Sequence, residues 1–157
     1  MTSYSECVPL IYRLNTFSFT DLFTFDIFTH ATLLSRLSLI RSLDIAQVYP
    51  WLDDTPFDLM YHPYGNVRAA PPRDLHTWQQ TWKAVSRLPA LKELRVTLVW
   101  LNMRPWRPRA RNGQKERDFL APLRLLGKMD LDVFVVRVNW DGERFGDVPF
   151  SYLRDRF

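Results

Sequence analysis

The chain has 157 residues, 46% hydrophobic and 24% charged, with one cysteine and a formal net charge of +4. That length suits one domain, residues 1–157, whose core needs neither a disulfide nor a metal, and the composition excludes a chain that is disordered throughout. Cys7 alone forms no intramolecular bridge, which excludes a disulfide-stapled scaffold and points to a reducing compartment, cytoplasmic or nuclear. No stretch approaches the ~18 apolar residues of a membrane span, and the N-terminus lacks the basic region of a signal peptide.

In chain order, "YSECVPLIYRL" predicts a short helix interrupted by Pro9, and "NTFSF" a short strand with Phe17 and Phe19 inward against Thr16 and Ser18. "DLFTFDIFTHATLLSRL" after Thr20 has the length of a helix although its aromatic and β-branched residues lower helix propensity. A second strand follows, with Leu43 and Ile45 inward and Ser42 and Asp44 outward. Residues 50–73 hold five of the eleven prolines, interleaved with Trp51, Phe57, Tyr61 and Tyr64. That is too proline-rich for a regular element and too aromatic for a flexible linker, so an inserted loop packed over the body is expected.

"DLHTWQQTWKAVSRL" gives the clearest helix: Asp74 suits an N-cap, Leu75, Trp78, Trp82, Val85 and Leu88 recur at spacings of three and four, and Pro89 closes the segment. In the strand after it, "LKELRVTLVW", Leu94, Val96, Leu98 and Trp100 lie on one side and Glu93, Arg95 and Thr97 on the other. A second inserted loop spans 103–117. "ERDFLAPLRLLG" then predicts a helix with Phe119, Leu120, Leu123 and Leu126 inward and Pro122 early, where it removes at most one helical hydrogen bond. "DVFVVRVNW" is the fourth strand, with Phe134, Val136, Val138 and Trp140 inward and Val135, Arg137 and Asn139 outward.

One phrase is written twice. "LSLIRSLDI" at 37–45 returns as "LPALKELRV" at 88–96, an offset of 51 residues (88 minus 37), and each copy reads as a helix end, a short turn and the strand that the helix covers. Strands alternating with helices imply parallel pairing through same-handed crossovers. The expected fold class is therefore α/β: a small open, mainly parallel sheet of about four strands with helices on one face. The offset exceeds the roughly 20 to 29 residues of leucine-rich repeats, so any kinship with that architecture is irregular.

"YSECVPLIYRLNTFSFTDL", "IRSLDI", "TWKAVSRLPALKELRVTL" and "FLAPLRLL", in that order, resemble a family of fungal domains of unknown function often found behind F-box-like segments. "LIYRLNTFSF" is the most specific of these stretches. The resemblance covers most of the chain. It implies a small α/β domain similar to a short, irregular leucine-rich-repeat-like fragment, and it carries over no catalytic residue. No F-box-like helix pair is recognisable ahead of the first strand, which counts against an adaptor role in ubiquitin ligation.

The residues themselves supply no reaction. His30, His62 and His76 are far apart and lack metal-ligand spacing, and Asp53, Asp54 and Asp58 lack the alternating oxygens and glycine turn of a calcium loop. No phosphate-cradling glycine pattern or serine elbow is present, and Cys7 in its apolar context reads as a buried small hydrophobe. No enzyme activity, cofactor or metal is expected. What remains is surface. Ser18, Asp44, Arg95 and Arg137 take matching outward positions and predict a polar row across the open sheet face, with Asp44 beside Arg95.

The 103–117 loop holds Arg104, Arg107, Arg109, Arg111, Lys115 and Arg117 against Glu116 alone, a charge of 6 minus 1, or +5, which leaves −1 for the rest of the chain. With Trp106 among them, these residues suit nucleic acid, an acidic protein or a phosphorylated peptide, although a solvated loop without a ligand is the commoner case. The leading expectation is a protein-interaction module whose partner is another protein, with nucleic-acid or phosphate binding through 104–117 as the alternative and no membrane partner.

Overall fold

The computed structural model describes residues 4–49, 60–62, 65–67, 75–100, 120–139 and 148–154. The chain opens with α1 (Tyr4–Leu14), followed by β1 (Thr16–Phe19), α2 (Leu22–Ala31), the single turn α3 (Leu34–Leu37) and β2 (Ser42–Tyr49). Next come β3 (Met60–His62), β4 (Gly65–Val67), α4 (Leu75–Val85) and β5 (Glu93–Trp100). A helical segment at 120–124 tightens into a 3-10 turn, Leu125–Lys128, and β6 (Val133–Val138) and β7 (Ser151–Arg154) complete the order.

β1, β2, β5, β6 and β7 form one parallel sheet in that order, so each strand pairs with the next strand of the sheet along the chain. Alternation does the rest. Leu43, Ile45, Leu94, Val96, Leu98, Phe134, Val136 and Val138 are buried beneath the helices, while the residues between them are partly or wholly exposed. The sheet thus has five strands where four were expected. β7 escapes a reading of periodicity because its four residues are too few to show an alternation. Residues 50–73 also contain the short antiparallel hairpin β3–β4, so the proline-rich loop is not devoid of regular structure. Its prolines lie outside both strands, where they cost the ladder nothing.

α1 runs through Pro9, which is tolerated as one missing hydrogen bond in a helix braced elsewhere: Tyr12 stacks on Phe17 of β1 with ring centroids 5.2 Å apart. The segment after Thr20 is two helices. Asp21 caps α2, accepting from the Thr24 N–H at 2.7 Å and the Thr24 hydroxyl at 2.8 Å, and such a cap contributes about 1 kcal/mol. Thr32 turns extended and ends α2, and α3 then carries Leu37 into the core. Buried Gln47 of β2 joins sheet to helix: its Oε1 accepts from the Leu22 N–H at 3.0 Å, and its Nε2 donates to the Val48 carbonyl at 2.9 Å. That amide satisfies one of the orphan donors of the α2 first turn.

On α4, Trp78 and Trp82 are both fully buried and meet edge to face at 4.9 Å. The cap expected at Asp74 lies outside the described residues. In the last helical segment Leu120, Leu123 and Leu126 are buried as expected, and Pro122 packs inward with them.

The repeated phrase marks equivalent junctions. Leu37 and Leu88, Ile40 and Leu91, Leu43 and Leu94, and Ile45 and Val96 are all buried. Between the copies a backbone staircase fixes the register. The Lys92 and Glu93 N–H groups both donate to the Arg41 carbonyl at 2.9 Å, and those of Asp132 and Val133 donate to the Lys92 carbonyl at 2.8 and 3.1 Å.

Candidate functional site

The face of the sheet away from the helices is read in rows from the strand register. The first is Thr16, Ser42, Glu93 and Val133; the second is Ser18, Asp44, Arg95, Val135 and Ser151; the third is Ala46, Thr97, Arg137 and Leu153. Ser18, Asp44 and Arg95 therefore do stand side by side. Arg137 does not join them: Val135 is the β6 partner of Arg95, and Arg137 pairs with Thr97 two residues further along. The offset arises because Glu93 aligns with Val133, which puts Phe134 beside Leu94 and moves every outward residue of β6 accordingly. Ser18 and Arg137 are exposed, and Asp44 and Arg95 partly so.

The side chains add a correction. Arg95 reaches back along its own strand, with Nη1 donating to Glu93 Oε2 at 2.9 Å, rather than pairing with Asp44. Glu93 is a shared acceptor, since the Thr16 hydroxyl lies 3.0 Å from Ser42 Oγ, which in turn lies 3.4 Å from Glu93 Oε2. A polar chain thus crosses three strands: Thr16, Ser42, Glu93 and then Arg95. Thr16, Ser42 and Glu93 were read from the sequence as outward-facing but were not taken as candidate site residues. The same alignment of inward residues that brought Asp44 beside Arg95 places them in one row, but the small hydroxyls drew no notice. Farther from that corner the face becomes apolar, with Val48, Val99, Val135 and Leu153 between the polar positions.

A second charged group lies at the entry to β5 and β6. Lys92 Nζ donates to the Asp130 carboxylate and to its carbonyl at 3.1 Å. This hydrogen bond raises the Lys92 pKa and lowers that of Asp130. Both groups are open to solvent, so the pair is screened and organises the turn more than it stabilises the fold.

Arg104, Trp106, Arg107, Arg109 and Arg111 lie outside the described residues, as do the aromatic side chains proposed for the 50–73 loop. Cys7 departs from expectation. It is exposed, because α1 turns it away from the side on which Tyr12 packs. Among the described residues no helix is long and apolar enough to cross a membrane, and no three His, Cys, Asp or Glu residues cluster to hold a metal.

These features define a two-layer α/β domain in which, among the described residues, helices cover one face of the sheet and none covers the other. The chain belongs to a family described as a domain of unknown function, DUF7730, whose model matches residues 1–144. No curated protein and no solved structure matches it.

Proposed function

We propose that the chain is a protein-interaction module that binds another protein on the open sheet face and catalyses no reaction. The observation that carries this reading is the mixed character of that face: a hydrogen-bonded polar corner, Thr16–Ser42–Glu93–Arg95, beside the apolar Val48, Val99, Val135 and Leu153. Protein interfaces combine these two kinds of surface, apolar area for burial and fixed polar groups for orientation. Kinship with a short leucine-rich-repeat-like fragment, an origin in fungi, company with F-box-like segments and an intracellular location belong to the same reading.

The test is a pull-down from cell extract with three baits: the intact chain, an Asp44→Ala/Arg95→Ala variant, and a chain whose 103–117 loop is neutralised. A partner kept by the loop variant and lost by the face variant supports the sheet face. The opposite result rejects it.

The opposite result would favour the second reading, binding of nucleic acid or a phosphorylated ligand through 104–117, which rests on that loop's charge of +5 (6 minus 1). There, log affinity for nucleic acid falls linearly with log salt, with a slope of about −0.9 per phosphate neutralised on duplex DNA. Changing Arg104, Arg107, Arg109 and Arg111 to Gln removes most of that slope. A slope unaltered by the four changes rejects the loop as the binding element.

A further inference from the structure

We propose that the partner of the open sheet face docks as an α-helix with a base and an acid about seven residues apart on one side, the base meeting Asp44 and the acid meeting Arg137. Such a partner presupposes that this face binds protein, as proposed, and goes further in fixing its chemistry.

Asp44 and Arg137 are the charges of the face that are left over. Arg95, the register partner of Asp44, is held by Glu93 at 2.9 Å, and Glu93 also accepts from Ser42, so the polar corner satisfies itself and supplies no donor to Asp44. Among the described residues neither Asp44 nor Arg137 has a side-chain hydrogen bond or an ion pair. Both lie on the open face, because Leu43, Ile45, Val136 and Val138 beside them in the chain are buried beneath the helices.

The strand register places the two charges relative to each other. Asp44, Arg95 and Val135 are level, and Ala46, Thr97 and Arg137 are level two residues further on. Asp44 and Arg137 are therefore opposite corners of a block whose other corners are Ala46 and Val135, with Arg95 and Thr97 of β5 along its centre. Two strand spacings across and two residues along separate the charged corners by about 12 Å.

A protein that covers this block takes water from Ala46 and Val135, which is favourable, and from Asp44 and Arg137, which lose hydration that only an opposite charge replaces. The occupant must bring a cation to one corner and an anion to the other. A surface with the reverse charges, or with none, is rejected. Its backbone has to be satisfied as well. The N–H and C=O groups of the strands are used within the ladder, so an extended segment laid across the face leaves its own groups unpaired, whereas a helix arrives with them paired. Residues seven apart on a helix lie about 10.5 Å apart and about 20° from one line, and side chains as long as Lys, Arg and Glu span the remainder.

A phage-displayed library of helical peptides randomised along one side, panned on the intact chain, supplies the probe. Thr97→Arg fills the centre of the block and identifies the clones that bind there. Those clones carry a base and an acid seven residues apart. Asp44→Arg weakens them by about tenfold or more, and exchanging the clone's base for Glu restores binding to that variant. Arg137→Glu behaves in the same way, with restoration when the clone's acid is exchanged for Lys. Restored binding shows that each variant is folded. Clones blocked by Thr97→Arg but indifferent to both reversals overturn the charge pattern and leave the face as a protein-binding surface. Losses that no exchange in the clone restores overturn it as well. If Thr97→Arg blocks no clone, the protein-binding reading of the face falls and this partner with it.

Discussion

Trp78→Ala lowers the stability of the fold by about 3–5 kcal/mol, the range for truncating a large buried ring. Trp78 is fully buried on α4 and meets Trp82 edge to face at 4.9 Å, so its loss removes apolar burial, opens a cavity and strips a neighbouring ring of its partner. Urea unfolding followed by fluorescence measures it. A midpoint within error of the parent would take α4 out of the core.

Leu94→Ala costs about 2–5 kcal/mol, whereas Arg95→Ala, one residue later, stays within about 0.5 kcal/mol. Leu94 occupies the central strand, fully buried between Leu43 and Phe134 of the flanking strands, so a shortened side chain leaves a void bounded on both sides. Arg95 points to the open face, where its ion pair with Glu93 is partly solvated. The contrast between adjacent residues is the direct test of which face the helices cover. Equal losses at both positions would mean a sheet covered on both sides.

The parts of this fold that could be read from sequence are those where many residues repeat one signal. "LRVTLVW" and "VFVVRV" alternate over enough positions to fix both strand and face, and the α4 stripe names its own core. The features that escaped rest on few residues or on partners distant in the chain. β7 has four residues, β3 and β4 have three each, and the break at Thr32 has no glycine or proline to announce it. Arg137 was placed one step wrong because alignment by inward residues leaves the register free by two, and the staircase of backbone bonds from Arg41 to Lys92 to Val133 decides it. Cys7 was read as buried because its apolar neighbours suggest a core. They have that character, and Val8 and Pro9 are partly buried, but α1 leaves Cys7 itself exposed.

The strand order carries a consequence for how the protein is made. Each strand of the sheet pairs with the one before it in the chain, so during synthesis no strand has to wait for a partner that the ribosome has yet to deliver. β1 and β2 can meet first, with β5, β6 and β7 added in turn at a single advancing edge. At every stage the sheet shows the β1 edge, fixed from the start, and one advancing edge that passes from strand to strand as far as the four-residue β7, rather than a scattered set of unmatched segments.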